Sequence, residues 1–262
     1  MRNHAGVDRF GSDQNGLFCR SLLCRRVRSS FPLRRKPPRK TLLAAGCQSS
    51  EMVFALNDIE HTGPKAAATA LDAEEQWRAE LYLVVARLLG NAPDQDILDI
   101  VGTAVGGSGP VGNAIDELAA AARRYQAADV AEEYQNIFIG LGRGEIVPYA
   151  SYYLTGFLQE KPLASLRRDL AAMGLGASPG NADPEDHAAA ILEVMGRLVA
   201  GGTAAVAGLE AERTFFNNHI GAWMPIFFRD LEKARSARFY RAVGALGAAL
   251  VAVEKDAFQM AA

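Results

Sequence analysis

DAEEQWRAELYLVVARLLGNAP, residues 72–93, decides the class of the chain. Asp72 followed three residues later by Glu75 reads as a capping box at a helix start. Behind it Trp77, Leu81, Val84, Val85, Leu88 and Leu89 recur at helical intervals, which puts apolar side chains on one face. Asn91-Ala92-Pro93 closes the segment, because proline lacks the amide that a continuing helix needs.

The same reading extends outward. Ile97, Leu98 and Val101 make a short second helix, followed by a Gly/Pro loop from Gly102 to Gly112. Ile115, Leu118, Ala122 and Tyr125 mark a third helix; Val130, Tyr134, Ile137 and Phe138 mark a fourth. After the loop GLGRGEIVPY, residues 140–149, Tyr153, Leu154, Phe157 and Leu158 resume helical spacing. Leu166, Leu170 and Met173 follow in another helix, closed by Gly174. A second Gly/Pro/Asn loop covers 174–182, and Asp183-Pro184-Glu185-Asp186 then opens a long helix. Asp183 suits its N-cap and Pro184 its first position, and the following acids favour the positive end of the helix dipole. Ile191, Val194, Met195, Leu198 and Val199 give that helix an apolar face, and Gly201-Gly202 stops it. Helices around Phe215-Phe216, from Met224 to Ala234, and around Phe239, Val243, Leu246, Leu250 and Val253 complete the chain. No segment alternates with the period of a strand and no repeat of fixed length occurs. The spacing predicts an all-α protein, a single globular bundle of about nine or ten helices.

Composition limits what such a bundle does. The chain has 262 residues, 49% of them hydrophobic, enough for a sizeable core. Its net charge of −2 hides a split. Residues 1–51 hold eleven Lys or Arg against three acids, a net +8, leaving 17 basic and 27 acidic residues in 52–262, a net −10. An acidic body repels nucleic acid and steers a basic peptide toward itself. Cys19, Cys24 and Cys47 all lie in the basic segment, so the body has neither a disulfide framework nor a thiolate metal site. No stretch approaches the roughly 20 apolar residues of a membrane span.

The basic segment admits four readings. Arg25-Arg26 with Phe31 faintly resembles a twin-arginine signal, and Leu43-Ala44-Ala45-Gly46-Cys47 a lipidation box. Both need an apolar run of about 7–15 residues, which Thr41 to Gly46 does not supply. An Arg- and Ser-containing transit peptide is the third reading, and translation from Met52 the fourth. Everything that patterns like a fold begins after Met52. The expected organisation is a disordered or untranslated extension over 1–51, a flexible lead-in over 52–71 and a helical domain over 72–262.

Three clusters are candidates for chemistry. Gly140-x-Gly142-x-Gly144 offers backbone amides to a phosphate, but lacks the Gly-Lys-Ser/Thr ending of a P-loop and follows a helix rather than a strand. The plainer reading is a backbone that needs positive φ and close packing. Glu185-Asp186-His187 lacks the further His or Cys that a metal site requires. A Ser151-His187-Asp186 triad lacks the glycines of a nucleophile elbow. Helix capping with a buried histidine, or a polar rim for a ligand, serves these residues better. His219-Ile220-Gly221-Ala222-Trp223-Met224-Pro225 joins two helices, with Trp223, Phe227 and Phe228 most simply core and a polar tip of Trp or His free to face a groove.

Taken in order, these features resemble one family. Tyr134-x-x-Ile137-Phe138-x-Gly140-x-Gly142-Arg143-Gly144-Glu145-x-x-Pro148-Tyr149-x-Ser151-x-Tyr153 resembles the signature loop of TorD/DmsD chaperones. Asp183-Pro184-Glu185-Asp186-His187 resembles their acidic Pro-Glu-Asp-His motif, and His219-x-x-x-Trp223-x-Pro225 their later His-x-x-x-Trp segment. Leu141, Tyr149 and Asp183 depart from the common pattern. The resemblance implies a cofactor-free, non-catalytic, cytoplasmic chaperone, without a metal, whose domain is 72–262. Its implied partner is the twin-arginine signal peptide of an unfinished molybdoenzyme, a formate dehydrogenase among the candidates, held until its cofactor is inserted. The implied peptide-binding residues are Glu145, Pro148, Tyr149, Ser151, Asp186 and His187. Relatives also imply weak guanine-nucleotide binding and a monomer or swapped dimer. The alternatives are a NarJ-type chaperone gripping a mature reductase subunit, a nucleotide-binding hydrolase and a structural adaptor.

Overall fold

The computed structural model describes residues 73–176, 183–202 and 206–260. The expectations for 1–51, for 52–71 and for the Asp72 cap lie outside the described residues. Ten α-helices form: α1 Ala73–Gly90, α2 Gln95–Gly102, α3 Pro110–Arg124, α4 Ala127–Tyr134, α5 Ala150–Thr155, α6 Lys161–Ala172, α7 Ala188–Val199, α8 Leu209–His219, α9 Met224–Lys233 and α10 Phe239–Met260. A single π turn, Gln135–Ile139, extends α4. No strand forms among the described residues, and no helix there is long and apolar enough to cross a membrane.

The centre of the bundle is α7. Ten of its twelve residues are buried, and the two that are not, Glu193 and Arg197, pair with each other on one side. It lies along α1, whose Leu81, Tyr82, Val85, Leu88 and Leu89 are all buried. A Cβ at Gly196 would stand 3.0–3.1 Å from Leu83 and Tyr82, so glycine sets this close approach. On the other side α10 packs against α9 and α3. There a Cβ at Gly247 would overlap the ring of Phe228, which is fully buried.

Polar side chains tie the helices end to end. Arg78 on α1 donates to both carboxylate oxygens of Glu254 on α10 at 2.8 Å and to Glu212 on α8 at 3.1 Å. Glu133 is buried and accepts the amides of Arg238, Phe239 and Tyr240 at 2.8, 3.1 and 2.7 Å, which caps α10. The hydroxyls of Tyr240 and Tyr134 donate to the carbonyls of Leu88 and Gly90, each at 3.0 Å, and close the C-terminus of α1.

Two expectations need correction. Phe157 and Leu158 do not continue the helix of Tyr153 and Leu154. Gly156 takes a left-handed φ of 85° and ends α5, and both apolar side chains stand exposed on the link to α6. Asp183 to Asp186 do not form the first turn of α7 either. That helix begins at Ala188 with His187 as its N-cap, because the backbone on each side of His187 is bonded to another part of the chain.

The packing at Gly247 sets a test. Gly247→Ala is expected to lower stability by about 1–3 kcal/mol, read as a lower urea midpoint with unchanged slope. Gly107→Ala, where nothing lies within 4 Å of the added Cβ, is the control and should be near neutral.

Candidate functional site

The candidate residues sit where two loops meet. The first loop leaves the π turn and doubles back on it, with the amide of Ile146 donating to the carbonyl of Ile137 at 2.9 Å. Gly140 and Gly142 take φ of 64° and 93°, and a Cβ at Gly144 would overlap the backbone of Phe138. The three glycines therefore serve backbone shape. Leu141 and Arg143 stand exposed at the loop's tip; the guanidinium of Arg143 lies 4.9 Å from the centroid of the Tyr152 ring and donates to its hydroxyl.

Glu145 straps this loop to the turn before α10. Its carboxylate accepts from Ser236 Oγ at 2.5 Å, from the amide of Arg235 at 2.7 Å and from that of Ser236 at 3.4 Å. The Ser236 hydroxyl is the main reason its carboxyl is held below the usual range.

Beyond Glu145 the two loops are stitched together. The amide of Ala188 donates to the carbonyl of Pro148 at 2.8 Å, and that of Ala150 to the carbonyl of Asp186 at 2.9 Å. Tyr149 and His187 thereby form an isolated antiparallel bridge. The second loop then caps two helices. Asp186 Oδ2 accepts the amide of Ser151 at 2.9 Å, at the start of α5. His187 Nδ1 accepts the amide of Ala189 at 3.1 Å, at the start of α7, which leaves the proton of the neutral ring on Nε2. The Tyr149 and His187 rings meet edge-on, centroids 5.1 Å apart, and the Tyr149 hydroxyl points at Asp183 Oδ1, 3.4 Å away. Burial pushes the His187 imidazole down to about 4 and, as the largest cause, the half-buried Tyr149 phenol up.

Five of the six expected residues, Pro148, Tyr149, Ser151, Asp186 and His187, thus come together, and Glu145 lies apart on its strap. They are not equally accessible. Asp186 is 1% exposed and Ser151 fully buried, while Tyr149 is half-exposed. Glu185 is held by Arg167 at 2.8 Å. Asp186 Oδ1 and Ser151 Oγ are buried without a hydrogen-bond partner among the described residues. No hydrogen bond joins Ser151 Oγ to His187, so the three do not form a proton relay. Asp183 beside Tyr149 is the acid that spacing had assigned to a helix cap.

The third motif is structural. Trp223 Nε1 donates to the carbonyl of His219 at 2.7 Å, deep in the core, and His219 Nε2 meets Asp169 Oδ2 at 2.8 Å. Sequence reading missed Asp169, and likewise Asp230, which faces the Tyr153 hydroxyl at 3.4 Å. Neither follows a local pattern. A cleft of about 320 Å³ lies elsewhere, beside Gln95, Asp99 and Arg123, and none of the six residues lines it.

Residues 107–229 match a family model described as nitrate reductase delta subunit, just under half of the chain and including both stitched loops. Among curated proteins, the chaperone protein TorD of Vibrio cholerae serotype O1 is 26% identical over 134 residues, 48% of this chain. That match spans 61% of the relative's own length. The TorD chaperone of Vibrio atlanticus is 25% identical over 195 residues, covering 66% of this chain and 91% of that one. That of Aliivibrio fischeri is 28% identical over 126 residues, covering 45% and 59%.

The buried imidazole makes stability depend on pH. An unfolded chain protonates this histidine near 6.5 and the folded chain only near 4. Its contribution is complete above pH 6.5 and is lost as pH falls toward 4, on the order of 3 kcal/mol in all. His187→Asn keeps a capping side chain without that titration. Unfolding free energies measured at several pH values should fall less steeply for the variant across this window; parallel curves would show that His187 is not the titrating group.

Proposed function

We propose, for a chain that belongs to the TorD family of redox-enzyme maturation chaperones, that its task is to bind the twin-arginine signal peptide of an unfinished molybdoenzyme in the cytoplasm. It holds that client until the cofactor is inserted and the enzyme is exported. The observation that carries the reading is the half-exposed ring of Tyr149, seated on His187 with its hydroxyl toward Asp183. An apolar ring beside a carboxylate suits an arginine followed by apolar residues. The acidic body steers such a peptide inward.

Magnitudes divide the work among the residues. An exposed ion pair contributes about 0–1 kcal/mol, and micromolar binding needs about −8 kcal/mol. Burial of apolar side chains, about 1.5–3 kcal/mol each, must supply the rest. Charge selects the peptide and apolar contact holds it. Tyr149 makes the contact, while Pro148 is buried and holds the loop through its carbonyl on the Ala188 amide. Behind it Asp186 caps α5 by accepting the Ser151 amide and His187 caps α7 by accepting the Ala189 amide, which positions the ring, and Glu145 fixes the loop's far end. The reading assigns no catalytic residue and no cofactor.

Isothermal titration of the full chain with twin-arginine peptides, a formate dehydrogenase peptide among them, tests this. Micromolar binding is expected, lost when both arginines become alanine. Tyr149→Ala should weaken it at least tenfold, and Asp186→Asn, which keeps an oxygen for the Ser151 amide, by less. Equal affinity of wild type and Tyr149→Ala would remove Tyr149 from the site. The family model's description, nitrate reductase delta subunit, favours a second reading in which a mature subunit is gripped, as by NarJ-type chaperones. Binding that survives deletion of the client's signal peptide would establish it.

A further inference from the structure

We infer that the recess beside Ala150 is a specificity pocket for one leucine- or phenylalanine-sized side chain of the client's signal peptide, an inference that rests on the peptide-binding reading above. The recess has a volume of about 140 Å³ and is walled by Ala150 and Leu154 of α5, Pro162 and Leu166 of α6, Ile191 of α7 and His219 of α8. A wholly apolar cavity of about 150 Å³ holds one benzene ring; this recess is of that size, with Ser165, Asn218 and His219 adding a polar side to its wall. The volume therefore suits a single side chain rather than a helix or a strand.

Position ties the pocket to the candidate site. Both chains that leave the Tyr149–His187 bridge run straight into it: Ala150 follows Tyr149, and Ile191 lies one helical turn after His187. An extended peptide with a basic side chain over Tyr149 and Asp183 reaches the pocket within a few residues, at about 3.3 Å per residue. A place for a basic side chain and a place for an apolar one thus lie next to each other. Leu154, on the wall itself, is 44% exposed, and Phe157 and Leu158, next along the chain, are 70% and 52% exposed. These are the two residues that left the expected helix, together with their neighbour one turn back. Exposed apolar patches of this kind mark contact sites.

The pocket is also preformed. His219 bonded to Asp169 joins α8 to α6 across it, and Trp223 bonded to the His219 carbonyl fixes that helix end. A wall held in place before binding spares the ligand the entropy of ordering it. This gives the His219 and Trp223 motif a part in recognition: they are positioning residues that set the pocket's width.

Two measurements on the full chain test the inference. The first needs no client: N-acetyl-phenylalaninamide is titrated into protein with labelled Leu and Ile methyls. Saturable shifts at Leu154, Leu166 and Ile191 are expected, and should vanish in Ser165→Met, where a half-exposed lining residue is extended to fill the space. Absence of shifts at these methyls overturns the pocket. The second titrates a twin-arginine peptide and its version with the apolar residue after the arginines changed to alanine. Ser165→Met should weaken the intact peptide at least tenfold and the alanine version less than twofold. Equal losses overturn the assignment of the occupant. Asn218→Phe fills the pocket from α8 and repeats both tests if Ser165→Met does not fold. Binding of the amide here without binding of any twin-arginine peptide overturns the peptide reading and the named occupant, and leaves an apolar pocket.

Discussion

Helix α7 is buried along ten of its twelve residues, and its first turn is buried with the rest. The leading amides of α7 have no partners within the helix and no water to turn to. The carbonyl of Pro148 takes one and the imidazole of His187 takes another. This obligation brings the loop of residues 140–149 across to α7. Once there, the return bond from the Ala150 amide and the cap from Asp186 start α5 at the same spot. The candidate site is the outer surface of that stitch.

The stitch also explains why the residues of one motif do different work. Asp186 and His187 are adjacent, yet one caps α5 and the other α7. Both are spent on backbone amides and both are buried. What lies outside them is the partly exposed Tyr149 ring, with its hydroxyl on Asp183, and the side chains beyond Ala150. Removal of a buried acceptor would be felt at the surface only through movement of Tyr149. A residue can therefore matter for recognition without touching the partner.

The helices were legible in the sequence because their signal is a period, and ten helices follow nearly the predicted spans. The errors share one cause. Rules for helix ends assume that a cap comes from the adjacent residue. Around His187 the backbone is instead bonded to a distant loop, Ala188 to Pro148 and Ala150 to Asp186, so α7 starts only after His187, and Asp183 and Pro184 looked like a start and are not. Glu133, which caps α10 from more than 100 residues back, gave no local signal at all. Phe157 and Leu158 continued an apolar rhythm that Gly156 breaks, and the rhythm carried no record of exposure. The resemblance to a family supplied which residues to examine. It did not say that Asp186 faces inward, or that Glu145 belongs to a strap with Ser236.

The bidentate pair of Arg78 with Glu254 has a consequence in time. Its partners are 176 residues apart, one near the start of the described chain and one near its end. Synthesis proceeds at about 5–20 residues per second, so Arg78 leaves the ribosome roughly 10–35 s before its carboxylate exists. Throughout that interval the apolar face of α1 lacks α10, and for much of it α7 as well. The nascent protein thus passes through a long stage in which that face has nothing to cover it.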